Sequence, residues 1–357
     1  MMELKKKGKE IKEFILENID NASDNIVALT TQKFDITRQA VHKRIRNLIN
    51  QGVLIRIKSG HYGLKSQTEW KINLSLSNNL SEDVVWRNDI VQRMGELSKN
   101  ALGIWHYGFT EMFNNVIDHS GTEKVIITVK KNAYSTEMYI SDHGIGIFYK
   151  IKNEMDLLDE RQAVLELTKG KITTAPESHT GEGIFFTSRM FDKFSILSGE
   201  VFLTHQYGKG EDWILQNREN SPGTFICLKL RNNTPRTTKE IFDKFTSEDL
   251  KFTKTVVPVR MAQYGDEKLV SRSQAKRLLE RIDRFKTVLL DFNEVESIGQ
   301  AFADEVFRVF VNQHPNIEII PINTNDIVMQ MINRVYNFGD ETKPSPSEPP
   351  NNLASDS

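Results

Sequence analysis

Residues 106–120, HYGFTEMFNNVIDHS, carry apolar Phe109, Met112, Phe113, Val116 and Ile117 at the spacing of one buried helical face. Glu111 and Asn115 lie four apart and therefore project together from the other side, with Asp118 and His119 a turn further on. A carboxylate in that place can orient and deprotonate a water, and a neutral amide oxygen beside it can ligate magnesium without adding negative charge. Taken alone, the same pattern also describes a polar, solvated helix face. Two strand-like runs follow, VIITVKKN and TEMYISDHGIGI, and the second delivers Asp142 into a turn with Gly144 and Gly146. An Asp at a strand end can accept a hydrogen bond from the amino group of a base, and glycines let the backbone come close to it. A tight turn with no ligand explains that motif equally well.

Downstream lies the charged segment Tyr149–His179, expected to be a mobile lid, whose Glu- and Lys-rich part also fits a solvated amphipathic helix. HTGEGIFFTSRMFDKF then sets Gly181 and Gly183 ahead of a helical run, where free amides and the positive helix end would face phosphate oxygens. GTFICLKL finally supplies Thr224 in a strand, with a hydroxyl for direct or water-mediated contacts. The order ExxxN, DxGxG, GxG and late GT across residues 74–232 resembles the GHKL ATP-binding superfamily of gyrases, histidine kinases and MutL. The resemblance implies ATP and Mg2+ as cofactors and a helical layer on a mixed, mostly antiparallel sheet. It implies Glu111 as general base, Asn115 as magnesium ligand and Asp142 as adenine reader. Gly144, Gly146, Gly181 and Gly183 become loop glycines, and Thr224 a secondary adenine contact. EMFNNVIDHS, GEGIFFTSRMFDKFSI and GTFICLKL are most similar, within that superfamily, to the anti-sigma-factor serine kinases, although the lid is longer than in those small kinases. Lys169, Lys171 and Arg189 are the candidate cations for a terminal phosphate, while His106 and His119 are expected to be structural or site-lining.

The first 66 residues are rich in Lys and Arg. Ile11, Phe14, Ile15 and Ile19 recur at helical spacing, a short helical run covers 26–32, and Thr37 can cap a third helix. In that helix Ala40, Val41, Ile45, Leu48 and Ile49 form the buried stripe, opposite Arg38, Gln39, His42, Lys43 and Arg46. VLIRIKSGHYGLK reads as a hairpin around Ser59 and Gly60. TRQAVHKRIRNLINQGVLIRI resembles the recognition helix and wing of bacterial winged-helix repressors, which implies DNA as a partner. By that resemblance Arg38, Gln39, His42 and Lys43 would meet base edges or phosphates, and Arg46, Arg56 and Lys58 phosphates. A winged helix used only for protein contact would leave the same charges solvated.

From Thr255 strands and helices alternate through TVVPVRMA, SQAKRLLERIDRF, TVLLDF, AFADEVFRVFVNQ, IEIIPI and DIVMQMINRV, the mark of a small α/β layer domain. LLDFNEVESIGQAFADEVF resembles the STAS-like modules related to anti-sigma-factor antagonists, which implies a protein-binding or relay role. Where phosphorylated antagonists carry a serine this chain has Ala301; Ser297 reads as turn chemistry, and Asp304 and Glu305 as surface or helix-start charges.

The expected fold is therefore α+β and multidomain: a winged helix at 1–66, a GHKL α/β sandwich at 74–232, a STAS-like domain at 238–337 and a disordered tail at 338–357. Polar stretches at 65–70 and 231–238 are the expected linkers. The single cysteine, Cys227, excludes an internal disulfide and is expected to be buried. No apolar run approaches the ~18 residues of a membrane helix and the start is not a signal peptide, so a cytoplasmic protein with no membrane partner is expected. Together the blocks point to a nucleotide-dependent transcriptional regulator with Mg-dependent ATPase activity, as a possible homodimer. The alternatives are a serine/threonine protein kinase of the anti-sigma-factor kinase type and a non-catalytic ATP-binding adaptor.

Overall fold

A computed structural model describes residues 2–20, 22, 24–76, 80–172, 181–208, 211–247, 249, 251–263 and 267–339. The chain is of the α+β class, with separate two-, three- and five-stranded sheets among the described residues. It divides into two units, Met1–Lys244 and Phe245–Ser357. No helix among the described residues is long and apolar enough to cross a membrane.

The first unit begins with α1 (Met2–Asn18), α2 (Ile26–Phe34) and α3 (Arg38–Asn50), followed by an antiparallel hairpin of β1 (Leu54–Lys58) and β2 (His61–Leu64). Ile11, Ile15, Ile19, Ile26, Val41, Ile45 and Leu48 pack with Leu54 and Tyr62 into one cluster. The Thr37 hydroxyl caps α3, accepting from the Ala40 amide at 3.2 Å, and this fixes which face of the helix turns inward.

A five-stranded sheet follows, in the order β3-β4-β5-β7-β6, with every described pairing antiparallel. Its strands are β3 (Ser66–Ser75), β4 (Lys124–Asn132), β5 (Ser135–Asp142), β6 (Lys193–Gln206) and β7 (Glu211–Arg231). The polar stretch expected as a linker at 65–70 is thus the start of an edge strand, whose charged residues face water while Trp70, Ile72 and Leu74 turn inward. Register aligns Ile72, Ile127, Ile140, Ile226 and Ile196 in one row across all five strands. Beyond the short α4 (Glu82–Val85), the long α5 (Lys99–His119), capped by Ser98, packs against α8 (Gly183–Met190).

The expected mobile lid is corrected in part. It holds α6 (Ile147–Glu154) and α7 (Glu160–Lys169), and Gln162 to Lys169 of α7 are all buried, so that face is not solvated. Lys169 pairs with Glu166 at 2.5 Å. Residues 173–180 of the lid lie outside the described residues. Near the end of the unit, α9 (Thr238–Phe245) sets Phe242 against Tyr107 of α5 at 5.3 Å and Phe186 of α8 at 4.6 Å between ring centroids.

The second unit contains a parallel sheet in the order β10-β9-β8, from β8 (Lys254–Pro258), β9 (Thr287–Asp291) and β10 (Glu318–Ile322). α10 (Arg272–Leu279), α11 (Gln300–Asp304), which runs through a π-helical turn into α12 (Val311–Gln313), and α13 (Asp326–Gly339) complete it. Strand β8 stops at Pro258, a residue without an N–H for the ladder. Asp304 is held by Arg308 at 2.8 Å and by Arg272 at 3.7 Å, a surface ion-pair role. The acidic tail from residue 340 lies outside the described residues.

Candidate functional site

The inner face of the central sheet changes character at one end. Leu74 pairs with Val125 and Val125 with Asp142, so alternation places the Asp142 carboxylate on the side that elsewhere carries isoleucines. The Thr224 amide donates to Asp142 Oδ1 at 3.2 Å, and Thr224 pairs with Ser198 on β6. A buried row thus runs from two aliphatic side chains into a carboxylate and two hydroxyls, with Asp142, Thr224 and Ser198 exposed by only 3%, 7% and 1%.

The turn after Asp142 is tied to its surroundings by backbone. Gly144 N–H donates to Asp142 Oδ1 at 2.8 Å, Ile145 N–H to the Ser120 carbonyl at 2.9 Å, and Ile147 N–H to the Thr224 hydroxyl at 3.1 Å. A Cβ on Gly144 would stand 2.0 Å from that Ser120 carbonyl, so glycine here lets the turn close on the end of α5. Gly146 and Gly181 have φ of 84° and 70° and lie against Ser198 and Ile172 respectively. Burial raises the Asp142 pKa, against the lowering effect of the Gly144 and Thr224 amides. The protein therefore holds a carboxylate here at a cost to itself, a common property of functional positions.

A second group lies further back along α5. Glu111 and Asn115, both half-buried, share one side of the helix. A Cβ on Gly183 would meet Glu111 Oε2 at 2.1 Å, so the first residue of α8 touches the carboxylate. Glu182, at the α8 N-cap, makes no side-chain cap bond, and the positive end of the α8 dipole lies beside the Glu111 carboxylate. Burial, followed by the Glu111 and Glu182 charges, drives the Tyr107 hydroxyl far above its ordinary value. Glu182 is itself raised by burial, with Lys171 opposing. From Glu111 to Ser120 the helix advances roughly 13 Å, so the two groups mark the ends of an elongated site.

The candidate cations sort differently. Lys169 is engaged by Glu166, and the Arg189 guanidinium lies 3.7 Å from the Phe185 ring centroid and donates to backbone oxygens of Phe185 and Thr168. Lys171, beside Glu182, stays near the α8 end of the site. His106 stacks on Trp86 at 5.2 Å, and His119 meets the Lys150 ammonium at 3.3 Å. Among the described residues no group of three His, Cys, Asp or Glu side chains could hold a metal. Cys227 is half-buried rather than buried; it lies on the outer face of the sheet, and burial pushes its thiol up to about 11.

Arg38, Gln39, His42, Lys43 and Arg46 are all exposed on α3, spaced so that they share one face of the helix. Ser198, Ser120 and Tyr107 were not anticipated. The available signal was the run Phe194, Ile196, Ser198, in which the inward alternation ends on a hydroxyl.

A family described as a STAS-like domain of unknown function (DUF4325) matches residues 274–329. The chain is also 28% identical over 152 residues to the chaperone protein HtpG of Wolbachia pipientis wMel, a match covering 38% of this chain. It spans about a fifth of the length of that curated relative, 22%. The STAS-like character of the C-terminal unit stands on the first of these matches.

Proposed function

We propose that residues 74–232 form a GHKL-type domain that binds ATP with magnesium, within a transcriptional regulator whose N-terminal winged helix contacts DNA and whose STAS-like unit contacts protein. The observation that carries this reading is the buried Asp142–Thr224–Ser198 row, beside the C-terminal end of α5 and about two and a half helical turns beyond the Glu111 carboxylate and the start of α8. A buried acceptor suits the amino group of a base. Amide donors at a helix start suit a phosphate tail, and the distance between the two groups suits an elongated ligand. The likeness to the chaperone HtpG supports the same nucleotide-binding fold.

On this reading Asp142 takes the adenine amino group, with Thr224 as a further contact, and Asn115 ligates magnesium beside the phosphates. The loops carrying Gly144, Gly146, Gly181 and Gly183 wrap the ligand. Glu111 orients and deprotonates the attacking water. Bound Mg2+ supplies charge neutralisation on the phosphate oxygens. The exposed α3 face enters a major groove, with Arg38, Gln39, His42 and Lys43 toward the bases and Arg46 toward phosphate.

Calorimetry and phosphate release with the full chain test the central claim. Asn115→Ala loses magnesium-dependent binding, and Glu111→Gln keeps nucleotide while turnover falls by roughly 10²–10⁴. Unchanged hydrolysis in both variants would falsify the site. Transfer of labelled phosphate to a protein in place of its release would instead select the serine/threonine kinase reading.

A further inference from the structure

The strand ends remote from Asp142 and Thr224 meet the N-terminal block, because the turn between β4 and β5 lays Tyr134 against the core of α1–α3. A cavity of about 350 Å³ opens at this junction, walled by residues of α1 on one side and the ends of β6 and β7 on the other. That volume is near the lower limit of small-ligand pockets, ~300–1,000 Å³, and leaves room for a free amino acid.

The two walls carry opposite charge. Glu17 and Asp20 line the α1 side, while Lys193, Lys229 and Arg231 line the sheet side. Lys229 is committed to Glu137 at 2.7 Å. Asp192 serves two guanidiniums at once, Arg236 at 2.6 Å and Arg231 at 3.5 Å, so positive charge remains in excess there. Among the described residues no ion pair within 4.0 Å crosses from Glu17 or Asp20 to that wall, although the Glu17 charge acts on Arg231 from across the cavity and the Tyr134 side chain hydrogen-bonds the same guanidinium. Tyr134 and Tyr207 supply aromatic lining, and Tyr207 is fixed by the Arg236 guanidinium 3.7 Å from its ring centroid.

We propose that this cavity binds a free α-amino acid. Its ammonium faces Glu17 and Asp20, and its carboxylate faces Arg231 and Lys193, in the fork geometry by which guanidinium takes carboxylate. A zwitterion of that length pairs both walls, which water and a singly charged ligand do not. The ligand touches α1 and the sheet together, so it stabilises the docked arrangement of the N-terminal block over any undocked one. Nothing in this proposal depends on nucleotide binding at Asp142.

Calorimetric titration of the full chain with the standard L-amino acids, one at a time, tests it, with thermal-shift measurements alongside. At least one amino acid binds, and its N-acetyl and C-terminal amide derivatives bind about tenfold more weakly or worse, as the loss of one charge-assisted contact requires. Asp20→Asn weakens binding to a similar degree, as does Lys193→Gln, and ATP affinity in both variants stays at the wild-type value. The end-blocked ligands act on unaltered protein, so a variant that fails to fold leaves the test standing. Binding by no amino acid at millimolar concentration, or affinity indifferent to blocking of both ends, overturns the proposal.

Discussion

A carboxylate on the hydrophobic side of a sheet is costly to bury, and Asp142 is in that position, 3% exposed with a pKa raised by burial in spite of the Gly144 and Thr224 amides that donate to it. The sign follows directly: with the folded pKa above the unfolded one, the group costs nothing where both states are protonated, and its cost appears as pH rises through the folded value. Asp142→Asn therefore raises the melting temperature at neutral pH and, on the proposed function, abolishes ATP binding; the gap in melting temperature from wild type narrows on acidification toward the ordinary Asp range. Scanning calorimetry at several pH values reads this; a lower melting temperature at pH 7 together with intact ATP affinity would mark Asp142 as structural. At Gly183 the new Cβ of Gly183→Ala would lie 2.1 Å from Glu111 Oε2 and push that carboxylate aside. Turnover falls at least tenfold, the scale of an ångström-sized misplacement, while α8, a helix that alanine favours, stays folded. Both positions could be singled out in the sequence, Asp142 because a lone acid ends an apolar strand and Gly183 because glycines precede an apolar helical run. Ser198 could not, because one serine in a strand is unremarkable until register sets it beside Thr224.

At the scale of elements, legibility tracked amphipathicity. The α3 stripe, its Thr37 cap and the strand–helix alternation from Thr255 were readable because each element there buries one face. Strand β3 was hidden because an edge strand exposes most of its side chains, so its start looks like a linker. Helix α7 was misread for the converse reason: Glu166 and Lys169 look like a solvated pair in sequence, yet they are 0% and 1% exposed. The pair 2.5 Å apart is integral to the folded lid. Glu166→Gln removes a charge from a buried ion pair and destabilises the unit by about 3–5 kcal/mol. Urea unfolding monitored by far-UV circular dichroism shows this as a lower midpoint; a midpoint within error of wild type would return α7 to the status of a solvated helix. Thr37→Ala removes the α3 cap for about 1 kcal/mol, with loss confined to the N-terminal block and visible as faster amide exchange in α3 alone.

Across the first unit, three neighbouring strands have a site residue toward one end and a junction residue toward the other. β5 runs from Ser135 to Asp142, the second half of β7 leads from Thr224 to Arg231, and the first part of β6 from Lys193 to Ser198. Each is a continuous hydrogen-bonded element, so a ligand that alters the Asp142 end has a stiff path to the surface on which Tyr134 meets the N-terminal core. Coupling along such a path requires that the nucleotide contact one arrangement better than another. Tyr134 is the contact to remove, being packed on the helical core and lying outside the nucleotide site. On the proposed function, Tyr134→Ala leaves ATP affinity at the wild-type value and retains binding of short DNA duplexes, since the α3 face is untouched. It abolishes the difference in DNA affinity between ATP-bound and ATP-free protein, a difference of roughly 5–150-fold if the coupling is of ordinary size. Fluorescence anisotropy with labelled duplexes at one fixed salt concentration measures both quantities. If the ATP effect persists undiminished in Tyr134→Ala, the signal reaches the N-terminal block by a route other than these strands; if wild type shows no ATP effect at all, the two activities are independent and the junction serves only to hold the block in place.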